Sequence, residues 1–247
     1  MTQQFVGKSA LVTGGSRGIG AAIAKRLAAQ GAAVTLTYAA SRGAADAVVQ
    51  EIAGAGGQAR AIAADARQVG ASAAAVADTV AHQGGLDILV SNAGINITKP
   101  IDQYQDADYE AVFDVNVRAS FEVIRAAAAH MTDGGRIVAV TATIANSFFA
   151  PGLAVYGASK AAANALVQGW ARDLGPRGIT INAVVPGPVD TDMNPDRTEL
   201  ADWLKSQVPL GRYGTSEEVA ALVSFLAGPE ASFITGARMI VDGGLTA

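Results

Sequence analysis

The sequence predicts an α/β protein in which helices cover both faces of a doubly wound, mostly parallel sheet of about seven strands. Short apolar runs rich in Val and Ile recur along the chain, and longer Ala-rich stretches of helical period separate them. This alternation is typical of βαβ units. No linker, charge block or low-complexity tract divides the 247 residues. We therefore expect a single domain over residues 1–247.

The strands are predicted where a short apolar run is flanked by glycine or polar residues. In chain order they are Ser9–Thr13, Ala33–Tyr38, Gln58–Ala63, Asp87–Ser91, Arg136–Thr141, Thr180–Val185 and Arg238–Val241. The helices are predicted where apolar residues recur at helical period and alanine favours the helix. They are Gly18–Gln30, Gly43–Ala53, Gly70–Gln83, Asp106–Met131, Val155–Leu174 and Ser216–Leu226.

The stretch Pro186–Leu210 interrupts this alternation, because it contains several prolines and mixes polar with apolar residues. A long irregular connection inside a compact domain often covers a substrate. We therefore predict a substrate lid near residues 187–212.

Charge and composition exclude several classes of function. The formal net charge is -4, so we expect no basic surface for a phosphate backbone and no nucleic-acid partner. The chain has no cysteine, and His82 and His130 are far apart in sequence, so we expect neither disulfides nor a metal site. The first residues lack the pattern of a secretory signal, and no apolar run reaches membrane-spanning length. We therefore expect a cytoplasmic protein without a membrane partner.

A glycine-rich turn follows the first predicted strand and leads directly into the first helix, over residues 13–20. In such a turn, Gly14 permits a sharp bend, Gly18 lets the backbone approach a pyrophosphate, and Gly20 lets the helix pack closely. The phosphates would face the helix N-terminus, whose free N–H groups attract anions. The sequence therefore predicts a dinucleotide site. Its other candidate contacts in the turn are Ser16, Arg17 and Ile19.

The end of the second strand indicates which dinucleotide is bound. An acidic residue at this place would accept hydrogen bonds from a ribose 2'-hydroxyl, but the run 37–42 contains none. Tyr38, Ser41 and Arg42 are the candidate contacts, and Arg17 approaches from the glycine turn. Arginine suits a 2'-phosphate because its planar donors match the phosphate oxygens. We therefore predict NADP(H) in preference to NAD(H).

Tyr156 and Lys160 are four residues apart on one predicted helix, so their side chains share a face. A phenol that is hydrogen-bonded to a carbonyl oxygen can deliver a proton as negative charge develops there. An adjacent cation favours the phenolate, so we expect a lowered pKa for Tyr156. The pair predicts general acid and base chemistry on a carbonyl group.

The spacing Thr-Gly-x-x-x-Gly-x-Gly and the Tyr156-x-x-x-Lys160 pair resemble the short-chain dehydrogenase/reductase family, which has a Rossmann-type fold. The resemblance covers nearly the whole chain, since further motifs of the family occur in the same order. These are Asp65, Asn92-Ala93-Gly94, Asn116 and Pro186-Gly187.

The resemblance implies a role for each motif. Asp65 would contact the adenine, the turn 92–94 would border the cofactor cleft, and the segment after Gly187 would flank the nicotinamide. Val189 and Thr191 are the candidate contacts in that segment. Lys160 would bind the nicotinamide ribose, and Asn116 would hold a water that connects the lysine to solvent. Relatives of this kind usually form tetramers through their long central helices, so we expect a homotetramer.

One position departs from the family pattern. Relatives place a serine 13 or 14 residues before the tyrosine, where its hydroxyl holds the substrate carbonyl oxygen; counting back from Tyr156 finds Thr143 at 13 and Ala142 at 14. Either Thr143 supplies the hydroxyl, or the serine position is occupied by alanine, naturally or by deliberate substitution. We favour Thr143. The second hypothesis predicts a weak enzyme, because losing one such donor costs about 10² to 10³ in rate.

The predicted function is reduction of an apolar small-molecule ketone to an alcohol by an NADP(H)-dependent oxidoreductase. Phe148 and Phe149 lie between the hydroxyl position and the tyrosine, and Trp203 lies in the lid, so all three are candidates for an apolar pocket. One alternative is a 3-oxoacyl-acyl carrier protein reductase of fatty-acid synthesis. Another, of a different class, is an NADP-binding regulatory protein with weak or no catalysis.

Overall fold

The computed structural model describes residues 3–147 and 150–247. Its strands are β1 Ser9–Val12, β2 Ala33–Tyr38, β3 Gln58–Ala63, β4 Ile88–Ser91, β5 Arg136–Val140, β6 Thr180–Pro186 and β7 Arg238–Val241. They form one sheet in the order β3-β2-β1-β4-β5-β6-β7, and every neighbouring pair is parallel. The predicted parallel sheet is confirmed.

Eight α-helices accompany these strands in the described residues. They are α1 Gly18–Ala29, α2 Arg42–Gly54, α3 Ala71–Gln83, α4 Asp106–Phe113, α5 Ala119–His130, α6 Ala154–Leu174, α7 Glu199–Gln207 and α8 Ser216–Ala227. Among them, no helix is both long and apolar enough to cross a membrane.

On strands β1, β4, β5 and β6, side chains on opposite faces enter two separate cores. On β1, Ala10 and Val12 belong to the core that includes α1, α2 and α8, whereas Leu11 belongs to the core formed with α3, α5 and α6. This division follows from the two-residue period of a strand, which sends successive side chains to opposite faces. Both faces are therefore covered by helices, as a doubly wound sheet requires.

The predicted lid contains a helix that the sequence analysis did not assign. Thr198 precedes α7, and its Oγ1 accepts a hydrogen bond from the Ala201 N–H at 3.1 Å. This cap satisfies one of the N–H groups that a helix leaves free at its start. Ala201 and Leu204 then pack with Tyr213 in a small cluster of their own. The prediction of an irregular stretch was therefore wrong for Glu199–Gln207.

The long predicted helix Asp106–Met131 is interrupted. A π turn over Asp114–Arg118 lies between α4 and α5. Such a turn inserts an extra residue into the helix, and π turns occur frequently at functional sites. Asn116, one of the predicted site residues, is at the centre of this turn.

The order of the strands determines where a ligand can bind. The chain moves outward from β1 through β2 to β3, and then crosses to β4 on the other side of β1. Helices on the two sides of this reversal diverge, which opens a crevice at the carboxyl ends of β1 and β4. The glycine turn and the 92–94 turn are the segments that follow these two strands.

Candidate active site

The glycine turn follows β1 and leads into α1. Gly14 has a φ of +64°, a left-handed conformation that residues with a side chain rarely adopt. A Cβ on Gly20 would overlap the Gly14 carbonyl oxygen and would lie 2.6 Å from Asn92 Nδ2. Because there is no room for a side chain, α1 starts directly against the turn. Its first N–H groups therefore border the crevice, where they favour an anion.

The 92–94 turn is bonded to the glycine turn. Thr13 Oγ1 accepts hydrogen bonds from the main-chain N–H groups of Asn92 at 2.9 Å and Ala93 at 3.0 Å. Asn92 Nδ2 in return donates to the carbonyl oxygens of Thr13 at 2.9 Å and Gly14 at 3.1 Å. The two turns predicted to flank a dinucleotide are thus held together by four hydrogen bonds.

The segment after β6 reaches the same place. Pro186 ends β6 and is followed by Gly187, and Val189 is buried. Thr191 lies beside the start of α1, since its Cγ2 is 3.2 Å from the position that a Cβ on Gly18 would take. The predicted cofactor-binding segments therefore meet at one crevice.

Two arginines border the crevice where a 2'-phosphate was predicted. Arg17 lies in the glycine turn, with its Nη1 3.6 Å from Asp192 Oδ2. Arg42 begins α2 beside the exposed Ser41, and Tyr38 ends β2. The guanidinium groups of both arginines are largely in solvent, so an anionic ligand can reach them.

Asp65 lies in the loop after β3 and is bonded to Arg67. Arg67 donates to both Asp65 carboxylate oxygens, through Nε at 3.0 and 3.1 Å and through Nη2 at 2.7 Å. These hydrogen bonds lower the pKa of Asp65 below its ordinary value. The carboxylate therefore stays ionised and fixes the shape of this loop.

Tyr156 and Lys160 lie side by side on α6, as predicted. Lys160 Nζ is 5.8 Å from the centroid of the Tyr156 ring and donates to the Val140 carbonyl oxygen at 3.2 Å. The same Nζ is 3.2 Å from the place that a Cβ on Gly94 would occupy. The lysine thus joins α6 to the end of β5 and to the 92–94 turn.

The expected lowering of the Tyr156 pKa is wrong for this structure. Burial raises the pKa of Tyr156 to about 12 and lowers the pKa of Lys160 to about 8. Burial disfavours the charged form of each group, which raises the pKa of a phenol and lowers that of an ammonium. The sequence spacing indicated the neighbouring cation but not the burial of both groups.

Asn116 lies inside the protein at the π turn, and its side chain is fully bonded. Its Oδ1 accepts from the Ile95 N–H at 2.9 Å, and its Nδ2 donates to the Ile95 carbonyl oxygen and to Ser159 Oγ, each at 2.9 Å. Ser159 Oγ in turn donates to the Tyr156 carbonyl oxygen at 2.7 Å. The side chain of Asn116 thereby links the loop after β4 to the helix that carries the tyrosine and the lysine.

The position of the family serine falls at the end of β5. Thr143 begins a short 3-10 turn, Thr143–Ala145, which packs against α6, and its side chain is only 3% exposed. Ala142 before it is extended and partly exposed. The hydroxyl of Thr141 is used elsewhere, because it donates to the Val184 carbonyl oxygen at 3.3 Å. Within the turn Thr143–Ala145, Thr143 is the one residue that carries a side-chain hydroxyl.

The predicted apolar pocket is described only in part. Phe148 and Phe149 lie outside the described residues. Trp203 lies on α7 and is 43% exposed, whereas Ala201 and Leu204 of the same helix are buried.

A further wall of the crevice was not predicted. The loop before α6 is bonded to the loop that follows the 92–94 turn, since the Gly152 carbonyl oxygen accepts from the Lys99 N–H at 3.3 Å and from the Tyr104 hydroxyl at 3.4 Å. Neither residue carries a motif, so the sequence offered no signal for this contact.

Comparison with known proteins decides the family. A family model described as enoyl-(acyl carrier protein) reductase matches residues 14–246. A solved short-chain dehydrogenase/reductase from Serratia marcescens is 51% identical with a TM-score of 0.97, and the match covers 99% of this chain and 100% of that chain. The chain belongs to the short-chain dehydrogenase/reductase family.

Two further relatives differ in what their names report. A short-chain dehydrogenase from Burkholderia cenocepacia, solved in complex with NADP, is 49% identical with a TM-score of 0.97 over 99% of this chain and 100% of that chain. A cyclic-di-GMP-binding biofilm dispersal mediator protein of Escherichia coli strain K12 is 44% identical over 239 residues, 97% of each chain. The family therefore includes relatives whose names report different roles.

In this short-chain dehydrogenase/reductase, two residues near Tyr156, Lys160 and Asn116 were not singled out from the sequence. Ser159 lies inside the Tyr156-x-x-x-Lys160 motif, and its place directly before the lysine was the available signal. Arg118 lies between Asp114 and Glu122 at intervals of four residues, a pattern of alternating charge that predicts ion pairs on a helix.

Proposed function

We propose that this chain reduces the carbonyl group of a small apolar ketone to an alcohol, with NADP(H) as the hydride donor. The observation that carries the proposal is the placement of Tyr156 and Lys160 against the 92–94 turn and Asn116. The NADP complex of the Burkholderia cenocepacia relative supports the choice of cofactor, as do the exposed Arg17 and Arg42 beside the crevice.

The residues present fit a bound dinucleotide phosphate. The glycine turn leaves no room for side chains at the start of α1, so the backbone N–H groups there would hold the pyrophosphate. Arg17, Ser41 and Arg42 would bind the 2'-phosphate, and the loop that contains Asp65 would border the adenine. Val189 and Thr191 would flank the nicotinamide. When bound, the cofactor supplies a hydride to the carbonyl carbon.

Tyr156 would donate its phenolic proton to the carbonyl oxygen as negative charge develops there. With a pKa of about 8, Lys160 is mostly protonated near neutral pH, so its ammonium group stabilises the phenolate that the transfer leaves. The Thr143 hydroxyl would donate a hydrogen bond to the same carbonyl oxygen. Overall, a ketone, one NADPH and one proton give an alcohol and NADP⁺.

The proposal includes a homotetramer assembled through the long helices. Tyr109 on α4 and Phe121 on α5 are exposed. The ring centroid of Trp170, on α6, lies 6.1 Å from that of Phe121, so the aromatic surface extends onto α6. Exposed aromatic groups that adjoin one another are typical of a surface that binds another protein chain.

A direct test follows NADPH and NADH consumption with a panel of aliphatic, aryl, cyclic and 3-oxoacyl thioester ketones. We expect turnover with NADPH on at least one apolar ketone and no turnover by Tyr156→Phe, while that variant still binds NADPH. Turnover confined to the thioester would indicate a 3-oxoacyl-acyl carrier protein reductase instead. Tight NADPH binding without turnover on any carbonyl would favour the regulatory alternative.

A further inference from the structure

Arg118, at the end of the π turn and directly before α5, is the centre of a hydrogen-bonding network. Its Nε donates to Asp114 Oδ1 at 2.9 Å, its Nη1 to Glu122 Oε1 at 3.1 Å, and its Nη2 to the Arg67 carbonyl oxygen at 2.9 Å. The Arg118 side chain is only 26% exposed, so these bonds are partly shielded from solvent. A single guanidinium group therefore joins three separate points of the chain.

The bond between Arg118 and Asp114 spans the π turn that contains Asn116. Asp114 and Arg118 are the first and last residues of the π turn, so their ion pair joins its two ends. Asn116 lies between them and bonds both Ile95 and Ser159. A π turn is an uncommon interruption of a helix, and a bridge between its ends favours that conformation.

Arg118 and its partner Glu122 together hold the loop after β3. The Arg67 carbonyl oxygen is bound by Arg118, and the Gly70 N–H donates to the second carboxylate oxygen of Glu122 at 3.0 Å. Glu122 is buried, and Arg118 is its ion-pair partner. Asp65 closes the same loop from within through its bonds to Arg67. The loop is thus bonded to the π turn through Arg118 and to α5 through Glu122.

The loop and the π turn meet behind the glycine turn. A small internal cavity is lined by Ala64 and Ala66 of the loop, by Val115 of the π turn, and by Thr13 and Ala93 of the two cofactor turns. A shift of the loop would therefore change the walls of the crevice at its adenine end.

We propose that Arg118 is a positioning residue that fixes the adenine-side loop 64–70 and the Asn116 turn in one arrangement. The inference rests on the proposed function, because the loop is assigned to the adenine by that proposal. In this proposal Arg118 contacts neither cofactor nor substrate. It nevertheless affects cofactor binding at the adenine end of the crevice and proton transfer at the end that holds Tyr156 and Lys160.

The test compares Arg118→Met with Arg125→Met, a matched control on the adjoining α5 whose guanidinium group lies over the Phe121 ring at 5.0 Å. Binding of adenosine 2',5'-bisphosphate and of reduced nicotinamide mononucleotide is measured separately by calorimetry. We expect Arg118→Met to weaken the adenosine ligand about tenfold, since a partly shielded, charge-assisted network is lost, and to leave the nicotinamide ligand within about twofold. Arg118→Lys retains the charge without the planar fork, so it should recover only part of the affinity.

A second variant separates the bond across the π turn from the other two bonds of Arg118. Asp114→Asn loses the ion pair across the π turn and keeps the bonds to Glu122 and Arg67. It should therefore lower kcat and shift its pH profile while binding the adenosine ligand as the unmodified protein does. If Arg118→Met fails to fold, the comparison between kcat and adenosine-ligand binding in Asp114→Asn tests the proposal by itself.

Three outcomes overturn the inference. The first is unchanged binding of the adenosine ligand by Arg118→Met, and the second is an equal loss in Arg125→Met. The third is an Asp114→Asn variant whose kcat and pH profile match those of the unmodified protein. If the unmodified protein binds neither ligand, the proposed function fails first, and the inference fails with it.

Discussion

Burial raises the pKa of Tyr156 and lowers the pKa of Lys160. The free energy of unfolding should therefore depend on pH through both groups. The pKa of Lys160 falls from its ordinary value of 10.5 to about 8, and the pKa of Tyr156 rises from 10.0 to about 12. Between about pH 8 and 10, the unfolded chain therefore binds a proton at the lysine that the folded chain has released. In this window the free energy of unfolding must rise with pH because of Lys160.

Lys160→Met should remove this rise. We expect the free energy of unfolding of the unmodified protein, relative to that of the variant, to increase by about 2 kcal/mol between about pH 8 and 10, because one pKa unit corresponds to about 1.4 kcal/mol and the lysine is only partly deprotonated at each end of this window. Urea unfolding of both proteins without cofactor, at pH steps through this window, gives the measurement. Above pH 10 the raised pKa of Tyr156 acts with the opposite sign in both proteins and cancels in the difference. A constant difference across the window would contradict burial as the cause of the lysine shift.

Ser159 is expected to matter through Asn116. Ser159→Ala leaves the Asn116 Nδ2 without one of its two acceptors inside the protein, which costs about 1–3 kcal/mol of stability. We also expect kcat to fall about tenfold, because Asn116 is no longer tied to the catalytic helix. Thermal unfolding and steady-state kinetics provide the two readouts.

The matched control for Ser159 is Ser206→Ala on α7. Ser206 Oγ also donates to a carbonyl oxygen three residues earlier, that of Trp203, at 2.6 Å, but on an exposed helix surface. This variant should change neither stability nor kcat appreciably. If both alanine variants behave alike, the bond between Ser159 and Asn116 has no special role.

The hydroxyl of Thr143 is the remaining candidate for holding the carbonyl oxygen. Thr143→Val keeps the shape of the side chain and removes the donor, so kcat should fall by about 10² to 10³ while NADPH binding is retained. Ala142→Ser is the companion variant. Full turnover by Thr143→Val together with faster turnover by Ala142→Ser would place the missing serine at position 142 instead.

Single residues differ in how far the sequence predicted them. The interval of four residues placed Tyr156 beside Lys160 correctly, because helical geometry alone fixes that neighbourhood. The sign of the tyrosine shift was not predictable in the same way, since it depends on how much surrounding protein excludes water. Ser159 was missed because its partner, Asn116, is distant in sequence.

At the scale of elements, the glycine turn and α1 act as a unit that tolerates no added side chain at Gly20. Gly20→Ala places a Cβ against the Gly14 carbonyl oxygen and Asn92 Nδ2, so α1 must move away from the turn. We expect the affinity for NADPH to fall about 100-fold or more, because the helix N-terminus no longer faces the pyrophosphate. Equilibrium binding followed by the change in NADPH fluorescence measures this.

Gly43→Ala is the control for Gly20→Ala, because a Cβ on Gly43 in the first turn of α2 meets open space. Alanine has the higher helix propensity, so this variant should be as stable as the unmodified protein or slightly more stable. It should bind NADPH normally. Comparable binding by the Gly20 and Gly43 variants would mean that the close approach of α1 to the turn is not needed.

Elements were predictable where one pattern ran through them without interruption. All seven strands were placed to within one residue at each end, because buried parallel strands are short apolar runs between turns. The π turn within 114–118 was missed, since one extra residue scarcely disturbs a helical pattern of this length. α7 was missed because the flanking Pro195 and Pro209 and many polar residues concealed a cap at Thr198 with acidic residues in the first turn.

For the whole molecule, the strand order of the sheet explains where the site lies. The monomer alone does not explain why aromatic side chains are exposed on the outer surface of α4, α5 and α6. Phe121 is 39% exposed in the middle of this surface, next to Trp170 and under the Arg125 guanidinium group. In a monomer such aromatic area stays in contact with water at a cost of about 25 cal/mol per Å². Burial between copies of the chain removes this cost, which is a physical reason to expect association; the tetramer is what the family resemblance implies.

Phe121→Glu should therefore yield a smaller assembly, because a carboxylate would have to enter an apolar interface without a partner. Sedimentation velocity at several protein concentrations should find a tetramer for the unmodified protein and dimers or monomers for the variant. Val6→Glu is the matched control, since Val6 is 68% exposed in the segment before β1, at the end of the sheet opposite the crevice. The control should remain tetrameric. NADPH binding by the Phe121 variant should persist, because each crevice is built from one chain. If the unmodified protein is monomeric, or if the Phe121 variant forms an assembly of unchanged size, this surface is not the interface.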